Sequence, residues 1–161
     1  MLNKILSPLD GSEFTKCSLE YVKEIARGRP EAEVVLMTVT KFDLIFWNEA
    51  LNESQAKVLG RQQAEMEKQI SQKAEKYMAE AAGDLKKEGI DAKIVIVKAE
   101  ENEGIADLIL DYAEKNKMDL IVISTHGRSG ISRWAMGSVA DRVVTRAKIP
   151  VLTITPPGCK L

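Results

Sequence analysis

A chain of 161 residues, 45% of them hydrophobic, has the size and make-up of one globular domain. Its formal net charge of −1 gives no support for nucleic acid or an anionic membrane as a partner. No apolar run approaches the ~20 residues needed to span a bilayer, and the opening Met1–Ser7 lacks the long apolar core and small-residue cleavage site of a signal peptide.

The first predicted strand is Lys4 to Leu9, with Ile5, Leu6 and Leu9 apolar. Asp10-Gly11-Ser12 turns the chain into a helix over Phe14–Arg27, with Ser12 as its cap and Glu13 in its first turn. Gly28 and Pro30 stop that helix. Glu33 to Val39 reads as a strand covered on both faces, because Val34, Val35, Leu36 and Met37 run without a polar break. Thr40 to Gly60 has no clear period. Its apolar cluster, Phe42 to Trp47, reads as a connection packed onto its own domain, with a flap or an intersubunit contact as the other reading. Leu51 to Glu88 follows as a long helix, with Gly60 as an interruption near its start and Ile70, Ala74, Tyr77, Ala81 and Leu85 on its apolar stripe.

After Gly89, Ala92 to Lys98 gives a third strand. Asn102 caps a helix defined by Ile105, Ile109 and Tyr112. The acidic Glu100, Glu101 and Glu103 suit a helix start and carry no chemistry. Leu120 to Ile123 is a fourth, buried strand, and Val151 to Ile154 a short fifth. Strands alternating with helices predict an α/β fold with a parallel sheet. The two cysteines, Cys17 and Cys159, show no metal-ligand or CxxC spacing. Cys17 reads as a small core residue of the first helix, and the cytoplasm is the expected location.

The fourth strand opens onto a loop containing Gly127, Gly130 and Gly137, two arginines, Arg128 and Arg133, and the hydroxyls of Ser124, Thr125, Ser129 and Ser132. Ser138 then opens a helix, and Ser138-x-x-Asp141 fits a capping box. Glycines let a backbone approach a ligand, and a helix N-terminus offers unpaired amides with partial positive charge. Together they favour an anion, most often phosphate. The plainer reading is a glycine-bearing turn before a well-capped helix. No G-x-x-x-x-G-K-[ST] loop is present, and no G-x-G-x-x-G follows the first strand. His126 is the one histidine, so neither a multi-histidine metal site nor a Ser/His/Asp triad is expected.

Gly127, nine residues, Gly137 and Ser138 resemble the nucleotide loop of the ATP-binding universal stress proteins. That loop runs Gly, two residues, Gly, nine residues, Gly, then Ser or Thr. Ser124 stands at the first glycine position, a departure from the pattern. Pro8-Leu9-Asp10-Gly11-Ser12 resembles the family's opening strand and turn, although Asp-Gly-Ser is also ordinary turn chemistry. The resemblance implies a doubly wound, Rossmann-like sheet of the adenine nucleotide alpha hydrolase type. Its strand order would be 3-2-1-4-5 with helices on both faces, in one domain over 1–155 followed by a loose tail, 156–161. It implies a cleft between the first and fourth strands, where the winding reverses.

By the same resemblance that cleft holds ATP, with Asp10 and Val39 at the nucleoside end. Gly127, Gly130, Gly137 and Ser138 surround the phosphates, with His126 on that side. Pro8, Leu9, Ser124, Thr125, Arg128 and Val139 complete the site. Mg²⁺ would come with ATP through phosphate oxygens, with no protein ligand. A homodimer through Val151–Ile154 is the family's usual assembly. The implied role is a nucleotide-dependent stress-response module, with no catalytic residue. A stress-related interaction protein that does not bind ATP, and a very slow ATPase or autokinase, stand as the alternatives.

Overall fold

A computed structural model describes residues 2–42, 53–125 and 136–155. Continuous apolar runs form the strands, β1 (Lys4–Pro8), β2 (Glu33–Lys41), β3 (Ala92–Ala99), β4 (Leu120–Ser124) and β5 (Val151–Ile154). The helices between them are α1 (Glu13–Ala26), α2 (Glu53–Lys87), α3 (Ile105–Lys115) and α4 (Ser138–Arg146). The strands make one parallel sheet in the order β3-β2-β1-β4-β5. This is the doubly wound order expected.

Alternation along each strand sends neighbouring side chains to opposite faces. Ile5, Val34, Leu36, Val122 and Ile154 pack in one core cluster with Leu19 and Val22 of α1 and Met78, Ala81 and Leu85 of α2. Leu6, Val35, Met37, Ile121 and Ile123 pack in a second with Ala106 and Ile109 of α3 and Val143 of α4. A parallel sheet needs both faces covered, which is why β1 and β4 are buried almost throughout and β2 is buried from Val34 to Thr38.

Three local expectations are corrected, and one is refined. Gly60 does not interrupt α2, which runs unbroken from Glu53 to Lys87; a lone glycine costs about 1 kcal/mol against Ala, too little to break so long a helix. Ser12 is the N-cap of α1 as expected, and its side chain makes no capping hydrogen bond. Gly104, not Asn102, caps α3. Gly137, not Ser138, is the N-cap of α4, so Ser138 is its first helical residue and the capping box does not form. Met78, absent from the predicted stripe, is wholly buried on α2.

Two further ties were not legible from the sequence. Cys17 lies in the α1 core, 7% exposed, as expected for a small apolar residue. It is also disulfide-bonded, with its partner outside the described residues. Just before β4, Asp119 Oδ2 accepts hydrogen bonds from the Lys4 and Asn3 amides, both at 2.9 Å. Those two amides hold its carboxyl below the usual carboxylate range, the Lys4 bond contributing most. The apolar segment continuing from Phe42 to Trp47 lies outside the described residues beyond Phe42 itself, as does the tail 156–161. No helix among the described residues is long and apolar enough to cross a membrane.

Candidate functional site

The central strands diverge at their carboxyl ends. β1 pairs with β4 at Ile5↔Leu120 and Leu6↔Ile121. Beyond those pairs β1 keeps to β2, through Pro8↔Met37 and the hydrogen bond from Leu9 N to Met37 O at 2.8 Å. β4 keeps instead to β5, through Ser124↔Ile154 and the bond from Thr125 N to Ile154 O at 2.9 Å. The winding direction reverses between these two strands, so a crevice opens where an open α/β sheet takes its ligands.

Asp10 stands on the β1 rim. Its Oδ1 accepts the Ser12 amide at 2.9 Å, an Asx turn that fixes the carboxylate at the entrance to α1. Pro8 and Leu9 beneath it are buried. Val39 lies near the end of β2, half-buried, after the buried Thr38.

On the β4 rim, Ser124 and Thr125 are 6% and 4% exposed. The Thr125 hydroxyl lies 3.2 Å from Ile154 O and 3.3 Å from Thr155 Oγ1, which ties the end of β4 to the end of β5. Gly137 returns the chain to this corner: its amide donates to Thr125 O at 2.7 Å. A Cβ at Gly137 would stand 3.2 Å from the same carbonyl oxygen. Close approach of two backbones explains a glycine here, since φ is −62° and no left-handed conformation is involved.

Gly137 O accepts the Asp141 amide at 2.9 Å, which starts α4. The first amides of α4 are therefore set directly beside the β4 rim, with Ser138 exposed and Val139 half-buried there. Such a helix start favours a negatively charged group. His126, Gly127, Arg128 and Gly130, with Ser129, Ser132 and Arg133, lie outside the described residues. Of the site expected from the sequence, the structure sets Pro8, Leu9 and Asp10 at the end of β1 and Ser124, Thr125, Gly137 and Ser138 at the end of β4, its neighbour in the sheet. Val39 is placed one strand further out.

The model of the universal stress protein family matches residues 1–155. The chain belongs to that family. Among its relatives, universal stress protein MJ0531 of Methanocaldococcus jannaschii is 32% identical over 158 residues, covering 98% of this chain and 84% of the relative. The solved structure of MJ0577, from the same organism, superposes with a TM-score of 0.73 at 22% identity and covers 96% of each chain. A universal stress protein of Archaeoglobus fulgidus, solved in complex with dAMP, superposes with a TM-score of 0.60 at 22% identity, covering 96% of this chain and all of its own. At these identities the two structures speak to the fold, and this universal stress protein shares it.

Proposed function

We propose that this universal stress protein binds an adenine nucleotide, ATP foremost, in the crevice between β1 and β4. The parting of those strands above Leu6 and Ile121 is the observation that carries the reading. The reading is supported by an acidic turn at Asp10 after β1 and a helix start at Gly137 tied to the end of β4, its neighbour in the sheet. Asp10 serves the ribose or adenine, and the backbone at Val39 reads the adenine edge. Gly127, Gly130, Gly137 and Ser138 cradle the phosphates, with His126 and Arg128 beside them and Mg²⁺ held through phosphate oxygens. The dAMP complex of the Archaeoglobus fulgidus relative supports the ligand class.

Residues 1–155 form the binding domain and 156–161 a tail outside it. The protein pairs with a second copy through β5, whose Val151, Leu152 and Thr153 are half-buried at the sheet edge. Its setting is the cytoplasm, where the Cys17 disulfide would be open to reduction. Calorimetric titration with ATP and Mg²⁺ tests the reading. Saturable heat with one site per chain is expected, and no heat at millimolar nucleotide refutes it.

One observation favours a second reading, in which the fold serves as an interaction scaffold without ATP. Ser124 is buried at the position where the family loop carries its first glycine, so its Cβ and hydroxyl occupy the rim. Ser124→Gly separates the two. A wild type that binds ATP supports the first reading; ATP binding by the variant alone assigns the protein to the second.

A further inference from the structure

At the opposite, amino-terminal end of the strands, a cavity of about 230 Å³ lies where α3 ends and β4 begins. Leu110, Ala113, Met118, Ile121 and Ile149 make its walls apolar, and Lys117, Arg146, Lys148 and Glu114 supply its charges. Two of the three cations are already engaged. Arg146 pairs with Asp107 at 2.7 Å, and Lys148 with Glu114 at 2.9 Å. Lys117 has no ion pair among the described residues.

Its backbone is as telling as its charge. The residue two past the end of α1 is Gly28 and of α2 is Gly89, at φ 72° and 77°, the glycine positions that a left-handed helix stop calls for. In α3 the same slot holds Lys117 at φ 52°, the one non-glycine residue with positive φ among those described. The flanking bonds are intact: Met118 N donates to Ala113 O at 2.9 Å and Lys117 N to Glu114 O at 3.2 Å. A lysine therefore occupies a position whose geometry favours glycine, beside an apolar cavity. The α3 carbonyls of Tyr112, Ala113 and Glu114 accept bonds from Asn116, Met118 and Lys117.

We propose that this cavity binds a small amphipathic monoanion, a carboxylate with a short apolar tail, with Lys117 receiving its charge. The volume lies below the ~300–1,000 Å³ of drug-sized sites, which restricts the tail to a short acyl or single-ring group. The site is separate from the nucleotide crevice and does not rest on it.

The test is an amide NMR titration of the full-length chain, without nucleotide. Octanoate is the probe, octylamine carries the same tail with the opposite charge, and acetate carries the head alone. Octanoate is expected to bind with Kd on the order of 1 mM and to shift amides around residues 113–121 and 147–149, while the other two probes leave them unmoved. Lys117→Asn keeps a residue that tolerates the left-handed slot and is expected to weaken octanoate about fivefold. Octylamine binding as well as octanoate, equal affinity in the variant, shifts confined to other regions, or no shifts at all would each overturn the proposal.

Discussion

Replacing Gly137 with alanine separates the stability of the crevice from its use. The added methyl would sit 3.2 Å from Thr125 O, tighter than ordinary contact. The oxygen cannot swing away freely, because its residue is bonded to Ile154 and accepts the Gly137 amide at 2.7 Å. Relief comes from stretching that hydrogen bond to about 3.0 Å, still within the favoured range. Alanine is also a poorer N-cap than glycine, a loss of several tenths of a kcal/mol. Against these stands a gain of ~0.4–1 kcal/mol from a less flexible unfolded chain, open to alanine because φ is −62°.

The terms nearly cancel, so the net change should be under about 1 kcal/mol, or a Tm shift below ~4 °C for a chain of this size. Binding should respond differently. The methyl stands between the β4 rim and the first α4 amides, where it would cost a phosphate one charge-assisted hydrogen bond. That loss, ~1.5–3 kcal/mol, weakens ATP at least about tenfold. Thermal melting and calorimetry on the same preparation provide the check. An unchanged ATP affinity, or a Tm drop well beyond 4 °C, would refute the reasoning.

Asp119→Asn is expected to flatten the acid side of the stability curve. The carboxyl is lowered in the folded state by the Lys4 and Asn3 amides, so its contribution is present above the unfolded value near ~3.9 and is lost as pH falls through the folded value. Urea melts between about pH 2 and pH 5 measure it; equal slopes for both proteins would discount the tie. Leu85→Ala removes a wholly buried side chain where α2 meets the sheet, and should cost ~2–5 kcal/mol in urea unfolding.

The fold was legible because the apolar runs of β2 and β4 are too continuous for a half-exposed strand, and helical stripes lie between them. The two rims of the crevice were legible by residue type at Asp10 and Gly137. That they belong to neighbouring strands was legible only through the family resemblance, because it depends on β1 and β4 pairing over more than a hundred residues of sequence. Helix starts misled for a related reason. Ser138-x-x-Asp141 satisfies a capping pattern, but Gly137, bonded to Thr125, is the N-cap, one residue before Ser138. The Cys17 disulfide and the lysine at a glycine slot left no mark in spacing or composition.

Of these five strands β1 is made earliest, yet it ends in the middle of the sheet, while its neighbour β4 begins only at Leu120. At ~5–20 residues per second, a ribosome needs on the order of ten seconds to supply that second neighbour. Meanwhile β2 and β3 can join one side, leaving Ile5 and Leu6 on an unpaired edge. A nascent chain in this interval is an open half-sheet, the form most exposed to chaperone capture or to edge-to-edge aggregation.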